Sequence, residues 1–202
     1  MATRSRGPLF ISHDEVQTLI IIDSSDMSKT TAVKATMLVV ILGGAAYFAL
    51  RQRQARPLAI GDSALDFSVP AFPSGSLNLE NYHGQIVVLN FWATWCPPCV
   101  EETPSLERFA EKMRERGVIV LSVSVDEDQK ALQDFIQKNH ISYPVGRDPD
   151  RALAARYGTF QFPESYILDR RGLVAEKVAD AIDWDDPRIQ NFVLDLARGS
   201  NR

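Results

Sequence analysis

Cys96 and Cys99 are the only two cysteines of the 202-residue chain, and only Pro97 and Pro98 lie between them. The thiolate is the attacking species in thiol–disulfide exchange, and an unperturbed thiol, titrating near pH 8.5, is mostly protonated at neutral pH. A cysteine at the start of a helix escapes part of that limit. Unpaired backbone N–H groups and the helix dipole favour negative charge there. Three-residue spacing brings the second thiol one turn along, within reach of a mixed disulfide formed on the first. Cys96 is therefore expected to be the exposed attacker and Cys99 the more buried resolver, with no cofactor beyond their own disulfide. Pro97 and Pro98 supply no N–H donors, which weakens the stabilisation of a thiolate. Metal sites use the same cysteine spacing, but His13, His83 and His140 are scattered and no second cysteine pair exists. That falls short of a four-ligand zinc set. A scaffold stapled by disulfides would need more cysteines, spread along the chain.

The elements around the pair are legible from periodicity. Ile86 to Trp92 is a near-continuous apolar run, the pattern of a strand buried on both faces. Ala93, Thr94 and Trp95 lead from it to Cys96, with Phe91 and Trp92 expected as core and site wall. Val100 to Arg116 reads as a helix, with Leu106, Phe109, Ala110 and Met113 at three- and four-residue spacings. Pro104 should disturb its early turns, and Gly117 should stop it. Val118 to Val125 is a second buried strand, and Gln129 to Asn139 a helix with Leu132, Phe135 and Ile136 on one face. Ala152 to Tyr157 is a short helix. Tyr166 to Leu168 and Leu173 to Val178 form a hairpin about Asp169-Arg170-Arg171-Gly172. The last helix runs from Pro187 to Arg198, with Asp183 to Asp186 as its capping region. The order implies an α/β fold whose mixed central sheet is flanked by helices.

Ahead of this domain, residues 30–50 hold twenty-one residues with Lys34 as their single charge. At about 1.5 Å per residue this just spans a bilayer core. The expected organisation is an N-terminal segment 1–29, a single transmembrane helix 30–50, a linker 51–60 and a folded domain 61–202. Met27 with Lys29 would make a compact start to such an anchor, so Met27 is a candidate first residue. Lys29 and Lys34, ahead of the uncharged run 35–50, nearly balance Arg51, Arg53 and Arg56 after it, so charge leaves the orientation open. The domain is acidic: residues 62–202 carry fifteen Lys/Arg against twenty-two Asp/Glu. Nucleic acid is not an expected partner of such a surface.

The run Val87 to Cys99, VVLNFWATWCPPC, followed by Glu101, Glu102 and Pro104, resembles the TlpA/ResA/DsbE group of the thioredoxin superfamily, redoxin-type proteins related to AhpC/TSA. Val123 to Asp126 and Phe162 to Asp169 fit the same group, and 129–157 matches its helical insertion. The resemblance covers roughly residues 58–198. It implies a thioredoxin-like fold and an extracytoplasmic thiol–disulfide oxidoreductase, anchored in the inner (cytoplasmic) membrane with a periplasmic catalytic domain. Its partners would be protein thiols and disulfides and a membrane thiol electron donor, in a setting such as cytochrome c maturation. Pro163 is then the cis-proline facing the disulfide, and Trp95, Pro97, Pro98 and Phe162 line the groove for substrate. Glu164 resembles an acidic residue of the DsbE-like branch, open to two readings: tuning of Cys99 and its proton, or plain solvation. Several reductive members also bury a glutamate before the central strand. That position falls on Asn78 here, and Glu80, two residues on, is the expected substitute for proton handling. Two other functions are weighed on the same fold. A peroxidase would place its cysteine in a Pro-x-x-x-Thr-x-x-Cys setting that Cys96 lacks, and a non-catalytic binding module would not need both thiols.

Overall fold

The computed structural model describes residues 33–34, 36–47 and 56–199. The chain divides into two units, 1–53 and 54–202. In the first, residues 36–47 are helical with exposed side chains. Among the described residues no helix is long and apolar enough to cross a membrane, and the remainder of the expected 30–50 span lies outside them, apart from residues 33 and 34.

The second unit is built on seven strands in the order β2-β1-β5-β4-β3-β6-β7. The strands are β1 (Ser68–Phe72), β2 (Ser76–Asn78), β3 (Ile86–Trp92), β4 (Val118–Ser124), β5 (Val145–Arg147), β6 (Glu164–Leu168) and β7 (Val174–Ala179). The helices are α1 (Pro97–Arg114), α2 (Gln129–Lys138), α3 (Ala152–Tyr157) and α4 (Pro187–Ala197). All seven residues of β3 are buried, because it lies between parallel β4 and antiparallel β6 with helices over the sheet. The apolar run is explained by that position: both faces of a central strand meet side chains, so neither face needs polar residues.

The helix α1 begins at Pro97, three residues before the periodic pattern starts. Proline suits a first helical turn, where its missing N–H would have no partner. Pro104 lies inside the helix without ending it. Short β1, β2 and β5 escape sequence periodicity because three to five residues give too few repeats. The expected linker also contributes to the fold. Leu58 is buried and donates its N–H to Tyr157 O at 3.1 Å, while Gly61 donates to Val174 O at 2.8 Å. The domain therefore begins before residue 61, since Leu58 gains apolar burial and the chain there gains hydrogen-bond partners.

Gly158, which ends α3, has φ +75°, and a β-carbon there would lie 2.3 Å from Pro57 Cα. Backbone cannot swing aside as a side chain does. Gly158→Ala should lower stability by about 2–4 kcal/mol, combining the left-handed penalty with overpacking. Urea unfolding of the full chain measures this, and an unchanged midpoint would refute the contact.

Candidate active site

Cys96 caps the N-terminus of α1, immediately beyond the carboxyl end of β3, and is disulfide-bonded to Cys99 with Cα atoms 5.3 Å apart. Because Pro97 and Pro98 bring no N–H groups, Cys99 carries the first free donor of the helix. That N–H points to Cys96 Sγ at 3.3 Å. A thiolate on Cys96 would take up this bond at full strength, since charge-assisted hydrogen bonds are the stronger kind. In the disulfide form both residues are buried, Cys96 at 4% and Cys99 at 3% exposure. The expected contrast in exposure is therefore not present in this state. Hydrogen bonding distinguishes the two sulfurs instead.

Buried Asp126 fixes the turn before the pair. Its carboxylate accepts from Thr94 N–H at 3.0 Å, from the Thr94 hydroxyl at 2.6 Å and from the Ser124 hydroxyl at 2.6 Å. The end of β4 thus holds the loop that carries Trp95 and Cys96. On the other side the Phe162–Pro163 peptide is cis, the isomer implied by the resemblance, and Phe162 O lies 3.4 Å from Cys96 Sγ. Trp95 is 55% exposed and meets Phe162 edge-on at 6.1 Å. Pro97 and Pro98 are exposed beside them. The structure therefore brings Trp95, Cys96, Pro97, Pro98, Cys99, Phe162 and Pro163 together.

Glu164 is buried at the start of β6, so it is not simply solvated. Its Oε1 receives the Thr159 hydroxyl at 2.5 Å and the Tyr166 hydroxyl, and pairs with Lys177 Nζ at 3.1 Å. Burial and then the Glu164 bond push the Tyr166 phenol well above its ordinary range, keeping it a donor. This knot ties the cis-proline loop to the sheet.

Glu80 does not belong to the site. It is exposed on a 3₁₀ turn, Leu79–Tyr82, just before β3, whereas the cysteines follow the far end of that strand. Seven residues at about 3.3 Å each put roughly 20 Å between the two ends. A further buried acid is Glu102, on α1, one turn beyond Cys99 and on the same face. Burial raises its carboxyl from 4.5 to about 7, against the lowering effect of the bond from Trp184 Nε1. Its Oε2 is buried with no hydrogen-bond partner among the described residues. The sequence held a signal for it. Continuing the apolar face of α1 backwards from Leu106 by threes and fours reaches Thr103, Glu102 and Cys99. Trp184 had no such signal, because it reaches Glu102 from a loop 82 residues later.

A helix-capping cysteine pair under a cis-proline loop, at the end of a buried central strand, defines a thioredoxin-fold thiol–disulfide oxidoreductase. Residues 60–177 match the AhpC/TSA family, and the chain belongs to it. Among curated proteins it is 30% identical over 155 residues to the thiol-disulfide oxidoreductase ResA of Bacillus cereus, covering 75% of this chain and 90% of that protein. The ResA of Oceanobacillus iheyensis is 30% identical over 146 residues, covering 70% and 75%. Among solved structures, a Chlorobium tepidum protein bearing the provisional name thiol:disulfide interchange protein DsbE superposes with TM-score 0.65 at 27% identity, covering 69% of this chain and 99% of that one. A secreted thiol-disulfide isomerase from Corynebacterium glutamicum gives 0.61 at 26%, covering 66% and 84%. The chain is thus an enzyme of the ResA/DsbE type, with Cys96 and Cys99 as its redox pair.

Proposed function

We propose that this enzyme reduces protein disulfides outside the cytoplasm, held to the inner membrane by the 30–50 segment, with cytochrome c precursors among its substrates. The observation that supports reduction is the scarcity of donors at Cys96 Sγ: Pro97 and Pro98 bring no N–H, leaving Cys99 N–H at 3.3 Å as the first helical donor, and a thiolate that is weakly stabilised gives up its electrons more readily. The reduced pair begins as a Cys96 thiolate and a Cys99 thiol. Cys96 attacks one sulfur of the substrate disulfide, the substrate S–S bond breaks, and the first substrate thiolate leaves and takes a proton from solvent. Cys99 loses its proton to Glu102, roughly 5–6 Å away between β-carbons at this helical spacing. Its thiolate attacks Cys96 Sγ and expels the second substrate thiolate, which is protonated in turn. Two electrons have then passed to the substrate, and the pair is left as the disulfide. A membrane dithiol must supply the two electrons for the next cycle, and no other cofactor is required. The extracytoplasmic setting and the cytochrome link rest on the resemblance to the TlpA/ResA/DsbE group.

The test is the reduction potential of the Cys96/Cys99 couple in the full chain, equilibrated against dithiothreitol buffers, together with the rate at which the reduced protein reduces insulin. A value near that of thioredoxin, about −270 mV, is expected. A value towards about −120 mV would mark an oxidant and overturn the reductase reading.

A further inference from the structure

We propose that Arg151 selects the substrates of this site, favouring segments with a carboxylate close to the reacting cysteine. The proposal rests on the oxidoreductase reading and adds a substrate class to it.

Arg151 precedes α3, in the segment that follows β5, and its Cζ lies 5.5 Å from the centroid of the Trp95 ring. Trp95 is the residue before Cys96, so the cation stands at the mouth of the redox pair. An arginine held over an indole face keeps its N–H edge free for a second partner. Arg56, Arg108, Arg171 and Arg188 are each tied to a carboxylate. Arg151 is exposed, and its guanidinium has no hydrogen bond or ion pair among the described residues. Its backbone is fixed all the same. The residue sits at φ +57°, donates its N–H to Asp148 O at 2.9 Å, and is followed by Leu153 and Ala154 N–H groups bound to the Asp148 carboxylate.

Of the acids near the pair, Glu164, Asp126 and Glu102 are already engaged, while Glu101 is exposed on α1 and forms no ion pair with Arg151. Glu164 is taken by Lys177, Thr159 and Tyr166, Asp126 by Thr94 and Ser124, and Glu102 is buried against Trp184. Asp150, next to Arg151, accepts from Ala152 N–H at 3.3 Å. None of them neutralises the guanidinium. The domain as a whole is acidic, and that field would repel an acidic substrate at long range. At physiological ionic strength such repulsion is screened beyond about 8 Å, whereas a direct guanidinium–carboxylate contact persists. Exposed apolar side chains lie beside site residues in the chain: Phe160, two residues before Phe162, is 73% exposed, and Val100, directly after Cys99, is 37% exposed. The matching substrate is an extended segment with an apolar residue and an Asp or Glu within about three residues of its cysteine, each residue reaching about 3.5 Å.

The test uses the full chain, reduced, with three peptides that carry one cysteine as a mixed disulfide with neutral 2-thiopyridine. The peptides differ only in Glu, Gln or Lys two residues from the cysteine, and release of 2-thiopyridone is followed by stopped flow. The wild-type protein should prefer Glu over Gln by about threefold to fivefold, as an exposed ion pair allows, with Lys slowest and the preference shrinking in salt. Arg151→Gln should bring the Glu/Gln ratio to one, and Arg151→Lys should keep part of it. Equal ratios in wild type and Arg151→Gln would overturn the proposal, as would a uniform change for every peptide, which would point to tuning of Cys96 itself. Failure of the wild type to react with any peptide would instead sink the oxidoreductase reading, and this proposal with it.

Discussion

Cys99→Ala should turn the enzyme into a covalent trap. With Cys96 intact, the first exchange step proceeds and substrate becomes attached through Cys96 Sγ. Release then requires a thiol placed to attack that sulfur, and α1 supplies it: Cys99 follows by three residues, and in the disulfide state the two Cα atoms are 5.3 Å apart. Well-oriented intramolecular reactions reach effective molarities of about 10⁵ M, so millimolar external thiol should resolve the adduct at least about a thousandfold more slowly. Non-reducing electrophoresis and intact mass after mixing with a disulfide substrate should show the accumulated adduct, while Cys96→Ser shows neither adduct nor turnover. Wild-type turnover by Cys99→Ala would remove Cys99 from the mechanism.

Glu102→Gln should flatten the pH dependence of both stability and the second exchange step. Burial lifts the Glu102 carboxyl from 4.5 to about 7, so the folded state binds its proton more tightly than the unfolded state does. Its contribution is then fully present below pH 4.5 and is lost as pH rises through 7. The loss across that window is about 3 kcal/mol, since a tenfold change in proton binding is worth roughly 1.4 kcal/mol. Urea unfolding of the oxidised full chain at pH 5 and pH 8 should show the wild type losing about that much more than Glu102→Gln. In catalysis, a neutral amide cannot take the Cys99 proton. Resolution of the mixed disulfide should therefore slow most near neutral pH and recover as alkaline pH ionises Cys99 directly. Parallel pH profiles in the two proteins would refute both roles.

The long elements were readable because their side-chain spacing repeats enough times. Ile86–Trp92 and Ala152–Tyr157 fall where periodicity places them, and α1, β4, α2 and α4 differ only by a few residues at their ends. The side of the sheet built from β2, β1 and β5 was not readable. β5 has three residues, and its Gly146 tells nothing until Val69 and Leu77 close over it. The start of the domain is hidden in the sequence for the same kind of reason. Leu58 looks like linker until Tyr157, far along the chain, accepts its N–H.

The site divides along a similar line. Sequence alone determined the redox pair, since two cysteines three residues apart between a buried strand and an amphipathic helix depend only on local geometry. It also pointed, through resemblance, to Pro163 and its neighbours. Tertiary structure decided the acids and the cation. Glu80 and Glu102 are both glutamates close to β3 in sequence, yet one faces water at the wrong end of the strand and the other is sealed beneath Trp184. Glu164 holds the cis-proline loop only because Lys177 arrives from β7. Arg151 reaches Trp95 only because the insertion folds back over the end of the sheet. A carboxylate's protonation and a guanidinium's freedom are set by what surrounds them in space, and sequence spacing does not carry that information.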